Sequence, residues 1–361
     1  MKGRIKKIFS NSGKEVDAIL IGNGQHPNVD LNFFYTSGIT SGAFEGCLIV
    51  AKSNGKGYLL TSELEELIAR KETKLGVIVF KNKEERELHL KELLSDVNTL
   101  GINSNSLSYK QYSDISKFTK AKITDVSDTF SKIRSIKDKN EIKLISKACK
   151  ISSKVASQLK SFIKLGTTEN QLSSKISTLL LENGATNLAF PTIAAFGKNS
   201  SRPHHSPTDK KLQKNEFVLA DFGAESNRYA SDISRTFVFG KAHKKMKEIY
   251  ETVLDAQLQA IGMIRDGVNG KGVDKLARSI IDKKFKGRFI HSLGHEVGLS
   301  VHDGKNLSSQ ADFILKENMV VTVEPGIYIP SIGGVRIEDT VLVTRNKAKI
   351  LTNAPKELIE I

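Results

Sequence analysis

The chain has 361 residues, of which 39% are hydrophobic and 26% are charged, and its formal net charge is +15. This length allows two domains and at least one large core. The two cysteines, Cys47 and Cys149, are too few and too far apart for a disulfide framework or a cysteine-based zinc site.

The excess of positive charge does not by itself indicate a nucleic-acid partner. The lysines are spread along the whole chain, and no recognised nucleic-acid motif accompanies them, so we expect an ordinary basic surface. The first apolar run, residues 18–21, follows Asp17 and is too short for a signal peptide or a membrane helix. We therefore expect a cytoplasmic protein without a membrane partner.

Residues 1–130 are predicted to form an α/β domain, because short apolar runs typical of strands alternate with helical patterns. The strands are predicted at 17–22, 47–51, 57–60, 76–80 and 99–102, and the helices at 62–70, 84–94 and 109–118. Catalytic residue types do not cluster in this part of the sequence, which indicates a scaffolding or pocket-shaping role.

The second domain, residues 131–361, is predicted to begin with two helices. Ser135 and Asp138 form a Ser-x-x-Asp capping pattern ahead of a long helix. Thr168 and Gln171 form a capping box for a second, shorter helix.

The order of elements in the second domain occurs twice. A long helix, a glycine, a shorter helix, another glycine and a strand follow one another in each pass. The first pass is predicted at 140–165, Gly166, 168–182, Gly184 and 188–196, and the second at 242–265, Gly267, 273–285, Gly287 and 288–292. The repetition predicts an internal duplication, with a period longer than that of solenoid repeats. A coincidence of ordinary α/β alternation is the alternative.

Each pass ends in a hairpin that carries two carboxylates. In residues 216–240, apolar strand residues flank a polar turn, and a hairpin centred between Ser226 and Asn227 places Asp221 opposite Asp232. Cross-strand neighbours lie about 5 Å apart, so this pair repels unless a proton or a metal ion lies between the two acids. A solvated edge hairpin is the alternative, which the apolar flanks disfavour.

The second hairpin repeats the pattern, since a centre near Ser331 places Glu324 opposite Glu338. Four acids held together in a protein interior need about four compensating positive charges, and two divalent ions supply them. His295, in a glycine-flanked segment, offers one nitrogen ligand. Such an oxygen-rich set suits Mn²⁺, Co²⁺, Fe²⁺ or Zn²⁺. Two such ions about 4 Å apart activate a bridging water for amide hydrolysis.

These segments together resemble a known family. The matching stretches are Ser200-Ser201-Arg202-Pro203-His204, Asp221-Phe222-Gly223-Ala224, Ser231-Asp232-Ile233-Ser234-Arg235-Thr236, His291-Ser292-Leu293-Gly294-His295-Glu296-Val297-Gly298-Leu299, Val301-His302, Glu324-Pro325-Gly326-Ile327 and Arg336-Ile337-Glu338-Asp339. In order and spacing they resemble the pita-bread metallopeptidases, in the branch of Xaa-Pro dipeptidase (prolidase) and aminopeptidase P.

The resemblance covers essentially the whole chain, since the N-terminal part, with Asn32-Phe33-Phe34-Tyr35-Thr36-Ser37-Gly38, and the overall length also match that branch. It implies an α/β N-terminal domain of the creatinase/prolidase type. An α+β pita-bread catalytic domain with a pseudo-twofold internal duplication follows.

Carried over position by position, the resemblance implies a dinuclear metal site in each subunit. Its ligands are Asp221, Asp232, His295, Glu324 and Glu338. Asp232 and Glu338 bridge the two ions, and Glu324 also acts as the acid/base. We expect Mn²⁺ or Co²⁺ in the first place, with Zn²⁺ or Fe²⁺ as alternatives.

The resemblance also implies residues around the substrate. His204 lies beside the leaving-group nitrogen or the scissile carbonyl, and His302 helps to bind and polarise that carbonyl. Arg336 is either a partner that orients a ligand carboxylate or a surface strand arginine. His291 and His205 are left open between a pocket wall and a structural role.

One departure from the family concerns the carboxylate of the substrate. After His302 the family commonly continues with an acid, a small residue, a proline and often a basic residue that helps to hold this carboxylate. This chain has Asp303-Gly304-Lys305-Asn306 instead. Lys305 is a candidate replacement, and the sequence leaves open which group binds the carboxylate.

We expect a metal-dependent hydrolase that cleaves the Xaa-Pro bond, in dipeptides ahead of longer peptides. The short N-terminal domain resembles dipeptidases, whereas the departure after His302 favours aminopeptidase P. A non-catalytic binding module of the same fold and a metal-free hydrolase such as creatinase are the other classes, and the filled ligand positions disfavour both. The expected partners are a small peptide with proline at its second position and a second copy of the chain in a homodimer, rather than nucleic acid.

Overall fold

The computed structural model describes residues 2–13, 15–25 and 28–361. The chain divides into two compact units, one that ends at Arg134 and one that runs from Ser135 to Ile361. Within the described ranges, no helix combines the length and the apolar character needed to cross a bilayer.

The described residues of the first unit contain one mixed six-stranded sheet in the order β4-β3-β2-β1-β5-β6. Its strands are β1 (Ala18–Gly22), β2 (Leu48–Lys52), β3 (Gly57–Ser62), β4 (Gly76–Phe80), β5 (Thr99–Ile102) and β6 (Lys122–Asp125). Strand β1 is parallel to β5, β5 to β6 and β3 to β4, whereas β2 is antiparallel to both of its neighbours. The α/β prediction for this part of the chain is confirmed.

In the described part of this unit, six α-helices accompany the sheet: α1 (Lys2–Asn11), α2 (Leu31–Ser37), α3 (Glu66–Glu72), α4 (Lys83–Leu93), α5 (Tyr109–Phe118) and α6 (Ser127–Ser135). The sequence did not predict α1, α2, α6 or β6. Helix α2 shows why, since its aromatic and β-branched residues have low helix propensity. It forms because six of its seven residues are buried, and because Asp30 accepts a hydrogen bond from its first turn.

The second unit has four helices: α7 (Lys139–Gln158), α8 (Glu169–Glu182), α9 (Lys244–Met263) and α10 (Gly270–Phe285). The predicted capping box of α8, formed by Thr168 and Gln171, is confirmed. The predicted cap of α7 was wrong by one turn. Its N-cap is Asp138, which accepts from the backbone of Asn140 and Glu141, whereas the hydroxyl of Ser135 donates to the buried carboxylate of Glu296.

The strands of the second unit form small antiparallel sheets rather than one large one. Their bounds are β7 (Asn187–Leu188), β8 (Ile193–Phe196), β9 (Glu216–Phe222), β10 (Ala224–Ser226), β11 (Tyr229–Ala230), β12 (Ile233–Phe239), β13 (Gly294–His295), β14 (Asn306–Leu307), β15 (Val320–Val323), β16 (Gly326–Ile329), β17 (Gly333–Arg336), β18 (Asp339–Val343) and β19 (Ala348–Ile350). The strand predicted at 188–196 is broken between β7 and β8. No strand occupies 288–292, and β13 lies just beyond it.

The duplication predicted from the sequence is visible in this order. A 20-residue helix, a shorter helix and an interrupted hairpin follow one another twice. The long helices end before the predicted glycines, yet Gly166 and Gly267 keep equivalent backbone conformations, with φ of 80° and 81°.

Each half also has its own hydrophobic cluster. In the first cluster, Ile176 of α8 packs with Val218 and Ile233 of the first hairpin. Ile145 of α7 is also buried, at a position before the helix residues of this cluster. In the second cluster, Ile249 of α9 and Ile281 of α10 pack with Val321 of the second hairpin. Each hairpin is thus fixed on its helical side by buried apolar residues, and its other face is left for polar side chains.

Candidate metal centre

The first hairpin pairs β9 with β12 and, beyond a break, β10 with β11. The predicted register was wrong, because Asp221 lies opposite Ser234. Asp232 comes just before β12 and is therefore diagonal to Asp221. The cause is the turn, whose two central residues are Asn227 and Arg228 with φ of 50° and 68°. Two positive φ values define a type I′ turn, and its centre lies one residue later than predicted.

The second hairpin has the predicted register. Val323 pairs with Asp339 below a break in the ladder, and Gly326 pairs with Arg336 above it. The same register carried through the break places Glu324 opposite Glu338, as the sequence indicated.

The two hairpins are joined edge to edge by hydrogen bonds. The backbone N–H of Glu338 donates to the carbonyl of Ser234 (3.1 Å), and the hydroxyl of Thr340 donates to the carbonyl of Asp232 (2.8 Å). Ser234 also donates through its hydroxyl to Oε2 of Glu338 (2.8 Å). These bonds bring the acids of both hairpins to one place.

His295 reaches the same place from β13. Its backbone N–H donates to the hydroxyl of Thr322 (3.0 Å). A side chain at the preceding residue, Gly294, would place Cβ 2.0 Å from the carbonyl oxygen of Thr322, so only glycine permits this approach. Nε2 of His295 lies 3.5 Å from Oδ2 of Asp232 and 3.3 Å from Oε1 of Glu324. Ligand atoms of Asp232, His295 and Glu338 all lie within 4.8 Å of one another.

The acids of this cluster are buried and incompletely satisfied. Within the described chain, Oδ1 of Asp221, Oδ1 of Asp232 and Oε1 of Glu338 are buried without a hydrogen-bond partner. Burial and the neighbouring charge of Asp221 raise the pKa of Asp232 well above its ordinary value. Burial and the charge of Asp232 do the same for the pKa of Glu338, and burial raises the pKa of Glu324. Burying unpaired carboxylate oxygens costs free energy of folding. A divalent cation among them would cancel the repulsion and bind the unpaired oxygens. The residues therefore fit a metal centre.

Arg336 is buried beside the cluster and is the cation that the structure supplies. It donates to Oδ2 of Asp221, to the hydroxyl of Ser234 (2.8 Å) and to the hydroxyl of Tyr328 (2.9 Å). The surface-strand alternative for Arg336 is therefore wrong, since the side chain is only 3% exposed.

His291 continues this chain of hydrogen bonds. Its Nδ1 donates to the carbonyl of Ser292 (2.8 Å), so its Nε2 accepts from the hydroxyl of Tyr328 (2.8 Å). Burial and the charge of Arg336 lower the pKa of His291 to about 3. The imidazole is thus neutral and held in one tautomer.

A cavity of about 440 Å³ opens over the cluster. Its polar wall includes Asp221, Asp232, His295, Glu324 and Arg336, together with the three predicted substrate histidines, His204, His291 and His302. The rings of His302 and His295 lie 4.1 Å apart between centroids. Burial and the neighbouring His295 lower the pKa of His302. Glu338 is buried and is not among the residues that line this cavity.

Two family models match the chain. One, described as metallopeptidase family M24, matches residues 143–345, and one described as the creatinase/prolidase N-terminal domain matches residues 4–136. The chain belongs to metallopeptidase family M24.

Relatives of this M24 protein match it over nearly its whole length. The Xaa-Pro dipeptidase of Pyrococcus furiosus is 40% identical, over 99% of this chain and 100% of that protein. The solved structure of the Xaa-Pro dipeptidase from Bacillus anthracis matches with a TM-score of 0.91 at 33% identity, over 100% of this chain and 99% of that one. The X-Pro aminopeptidase from Thermotoga maritima matches with a TM-score of 0.90 at 32% identity, over 96% and 98%. The predicted family, the two-domain pita-bread fold class and the metal-dependent hydrolase class are thereby confirmed.

Residues 303–306 depart from the family pattern, and their basic residue, Lys305, does not point into the cavity. The ammonium group of Lys305 lies over the ring of Phe313, 5.1 Å from its centroid, and among the described residues Lys305 is not part of the cavity wall, whereas Asn306 is. The carboxylate of Asp303 accepts from the backbone of Leu299 (3.3 Å).

His205 has a structural position in this M24 protein. Its Nε2 donates to the buried carboxylate of Glu169 (2.9 Å), and it does not line the cavity. The pocket-wall alternative for His205 is therefore wrong, whereas for His291 it is correct.

Sequence reasoning missed three residues that support the M24 site: Thr322, Ser234 and Tyr328. A signal for the first two exists, because Thr322 precedes Glu324 by two residues and Ser234 follows Asp232 by two. Alternate residues of an extended segment share a face. Tyr328 carries no such signal, and only the fold brings its hydroxyl between His291 and Arg336.

Proposed function

We propose that the protein is a metal-dependent exopeptidase that hydrolyses the Xaa-Pro bond, with Xaa-Pro dipeptides as its first substrates. The observation that carries the proposal is the set of unpartnered carboxylate oxygens on Asp221, Asp232 and Glu338, buried beside Nε2 of His295. The similarity to the Xaa-Pro dipeptidases of Pyrococcus furiosus and Bacillus anthracis supports the choice of substrate.

Five residues would hold two divalent ions: Asp221, Asp232, His295, Glu324 and Glu338. Asp232 and Glu338 would be the ligands shared by both ions. Oxygen-rich donors with one imidazole favour Mn²⁺ or Co²⁺, with Zn²⁺ or Fe²⁺ as alternatives. When bound, such ions supply Lewis acidity and a water nucleophile at neutral pH.

Glu324 would move the proton. The hydroxyl of Thr322 donates to its Oε1 (3.2 Å), which fixes the carboxylate and leaves the other oxygen for proton transfer. Burial raises the pKa of Glu324, and a raised pKa suits a group that takes a proton from water and passes it to the leaving nitrogen.

His204 and His302, which line the same cavity as the cluster, would bind the reacting amide. A lowered pKa keeps His302 uncharged at neutral pH, so its ring can donate a hydrogen bond to the scissile carbonyl without adding charge beside the metals. Arg336 would hold Asp221 in its coordinating orientation, and His291 would form part of the wall.

Aminopeptidase P activity on longer peptides is the second candidate. The observation that favours it is the position of Lys305 against Phe313, which leaves the substrate carboxylate without the basic residue that the sequence offered. The match to the Thermotoga X-Pro aminopeptidase is compatible with either candidate.

The decisive experiment uses enzyme loaded with Mn²⁺ or Co²⁺. It compares the turnover of an Xaa-Pro dipeptide, of its C-terminal amide and of an Xaa-Pro-Yaa tripeptide. Preferred turnover of the free dipeptide supports the dipeptidase. Turnover of the amide and the tripeptide without the dipeptide supports the aminopeptidase. No turnover of any of them, with fewer than one bound ion per chain, would leave the non-catalytic binding module or the metal-free hydrolase.

We also propose that the protein is a homodimer. Light scattering at micromolar concentration should give twice the chain mass, and a single-chain mass would refute the dimer without affecting the activity proposed for the site.

A further inference from the structure

Glu169, in the first turn of α8, is a fully buried carboxylate outside the metal cluster. It accepts five hydrogen bonds. Oε1 accepts from the backbone of Phe196 (2.8 Å) and the amide of Asn199 (2.9 Å). Oε2 accepts from Nε2 of His205 (2.9 Å) and from the backbone (3.0 Å) and the hydroxyl (2.5 Å) of Thr208.

All five donors belong to one segment, residues 196–208, which we call the His204 loop because it carries His204 into the cavity wall. Phe196 and Thr208 are the two ends of this loop. A single carboxylate therefore joins the beginning, the middle and the end of the segment.

The opposite side of the His204 loop rests on β17. Ser200 accepts through its hydroxyl from the backbone of Gly334 (2.7 Å) and donates to the carbonyl of Gly197 (2.6 Å). Any side chain at Gly334 would place Cβ 2.2 Å from the carbonyl oxygen of Ser200. Strand β17 ends at Arg336, whose guanidinium lies 3.5 Å from the carbonyl of Pro203. The loop is thus held between Glu169 and the strand that leads to the metal cluster.

The site around Glu169 requires a carboxylate. Five donors and no acceptor face it, so a glutamine of the same shape would direct its NH₂ group against at least two donors. Burial alone would raise the pKa of Glu169, but hydrogen bonds from Thr208 and His205 outweigh burial and lower it. The group is ionised at neutral pH, and charge-assisted bonds are stronger than neutral ones.

We propose that Glu169 is a positioning residue that fixes the His204 loop and so places His204 over the scissile bond. The inference rests on the proposed function for its catalytic meaning, and on the hydrogen bonds above for its structural part. It adds a residue about thirty-five positions before His204 in sequence to the determinants of the reaction.

The test is a double-mutant cycle on kcat/KM for an Xaa-Pro dipeptide with metal-loaded enzyme. Glu169→Gln should lower kcat/KM by about 10- to 100-fold, since small displacements of a catalytic group have effects of this size. In a His204→Ala background the same substitution should change kcat/KM by less than about twofold, because the group that Glu169 positions is already absent. An equal loss in both backgrounds would overturn the proposal, since it would indicate a general structural effect.

Glu141→Gln is the matched control. Glu141 is also a buried carboxylate near a helix start, bonded to the hydroxyl of Tyr229 (3.0 Å) and to the backbone of Asp138 (2.9 Å). Both of these partners lie outside the His204 loop. Its substitution should lower the melting temperature but change kcat/KM by the same small factor in both backgrounds. If Glu169→Gln does not fold, Asn199→Ala removes one of the five donors and takes its place in the cycle, with a smaller expected loss.

A second readout does not depend on activity. Hydrogen exchange at the backbone amides of Phe196 and Thr208 should become at least about tenfold faster in Glu169→Gln, while amides of β15 and β18 keep their rates. Unchanged exchange at these two amides would overturn the structural part of the proposal. If the wild-type protein cleaves no Xaa-Pro peptide, the proposed function fails, and the exchange result still decides whether Glu169 fixes the loop.

Discussion

The two hairpins that carry the acids share an interrupted ladder but place their carboxylates differently. In the second hairpin Glu324 and Glu338 occupy directly opposite positions within the break. In the first, the tight turn at Asn227 and Arg228 shifts the register, so that Asp221 faces Ser234 and lies diagonal to Asp232. Directly opposed residues have Cβ atoms about 5 Å apart, and diagonal ones about 7–8 Å.

In the first hairpin a small hydroxyl residue, Ser234, therefore takes the position opposite an acid. Arg336 extends from β17 of the second hairpin and donates to both Asp221 and Ser234 of the first. One hairpin therefore supplies the arginine that orients an acid of the other. The duplicated halves are not interchangeable, and the following substitutions separate their contributions.

The largest effect is expected when one acid is removed from each hairpin. Asp232→Asn and Glu338→Gln should each lower kcat/KM by about 10³-fold or more, and His295→Ala should do the same, because each removes a proposed ligand. Metal analysis of the same variants should show fewer bound ions, with the fold retained by circular dichroism. Glu317→Gln, at an exposed acid paired with Arg345, is the control and should behave as wild type. Near-normal activity in any of the three variants would refute the ligand assignment.

A smaller loss is expected when the link between the hairpins is cut. Arg336→Lys keeps the charge but cannot maintain bonds to Asp221, Ser234 and Tyr328 together, so kcat/KM should fall about 10- to 100-fold. Arg345→Lys at the surface should change nothing. If Arg336→Lys is as active as wild type, the two hairpins do not depend on each other in the way described.

The next prediction concerns stability at acidic pH. It depends on His291, which accepts a hydrogen bond from Tyr328 of the second hairpin. The pKa of His291 is lowered to about 3 in the folded protein, against about 6.5 in an unfolded chain. Below pH 6.5 the unfolded state binds a proton that the folded state does not. Neutral His291 therefore makes its full contribution to the free energy of unfolding above about pH 6.5, and this contribution is lost as the pH falls toward 3.

Denaturant titrations of metal-free protein should show this loss, on the order of 3 kcal/mol between pH 6.5 and 4, and His291→Phe should make the pH dependence shallower. His89→Gln, at a partly exposed histidine of the first unit, should leave it unchanged. A His291→Phe curve parallel to that of wild type between pH 6.5 and 4 would contradict the expectation.

The smallest effect concerns the turn that sets the difference between the hairpins. Asn227 has φ of 50°, a conformation that asparagine tolerates and alanine does not, so Asn227→Ala should lower the free energy of unfolding by about 1 kcal/mol. Asn227→Gly should be close to neutral. Ser331→Ala, at an exposed residue of the second turn whose own φ is not positive, should have no effect on urea unfolding. Equal stability of the two Asn227 variants would show that the turn does not fix the register.

Much of the candidate site could be read from the sequence in spite of the register error. A shift of the hairpin centre by one residue moves each cross-strand partner by two positions, and residues two apart in a strand share a face. The wrong partner for Asp221 was therefore still on the correct side of the sheet. His205 could not be separated from His204 in this way, because loop residues have no such period. In the structure, His205 bonds to Glu169, whereas His204 lines the cavity.

The sequence by itself determined the elements that follow local rules. The alternation of the first unit, the Thr168 capping box, the duplicated order of helices and hairpins and the face of each acid all depend on short-range propensity and period. Tertiary structure alone decided what depends on distant groups. It formed α2 through burial, satisfied Ser135 with Glu296 rather than with a helix end, and buried Arg336 against Asp221. In each case a buried polar or apolar group found its most stable partner far along the chain, and no local pattern contains that information.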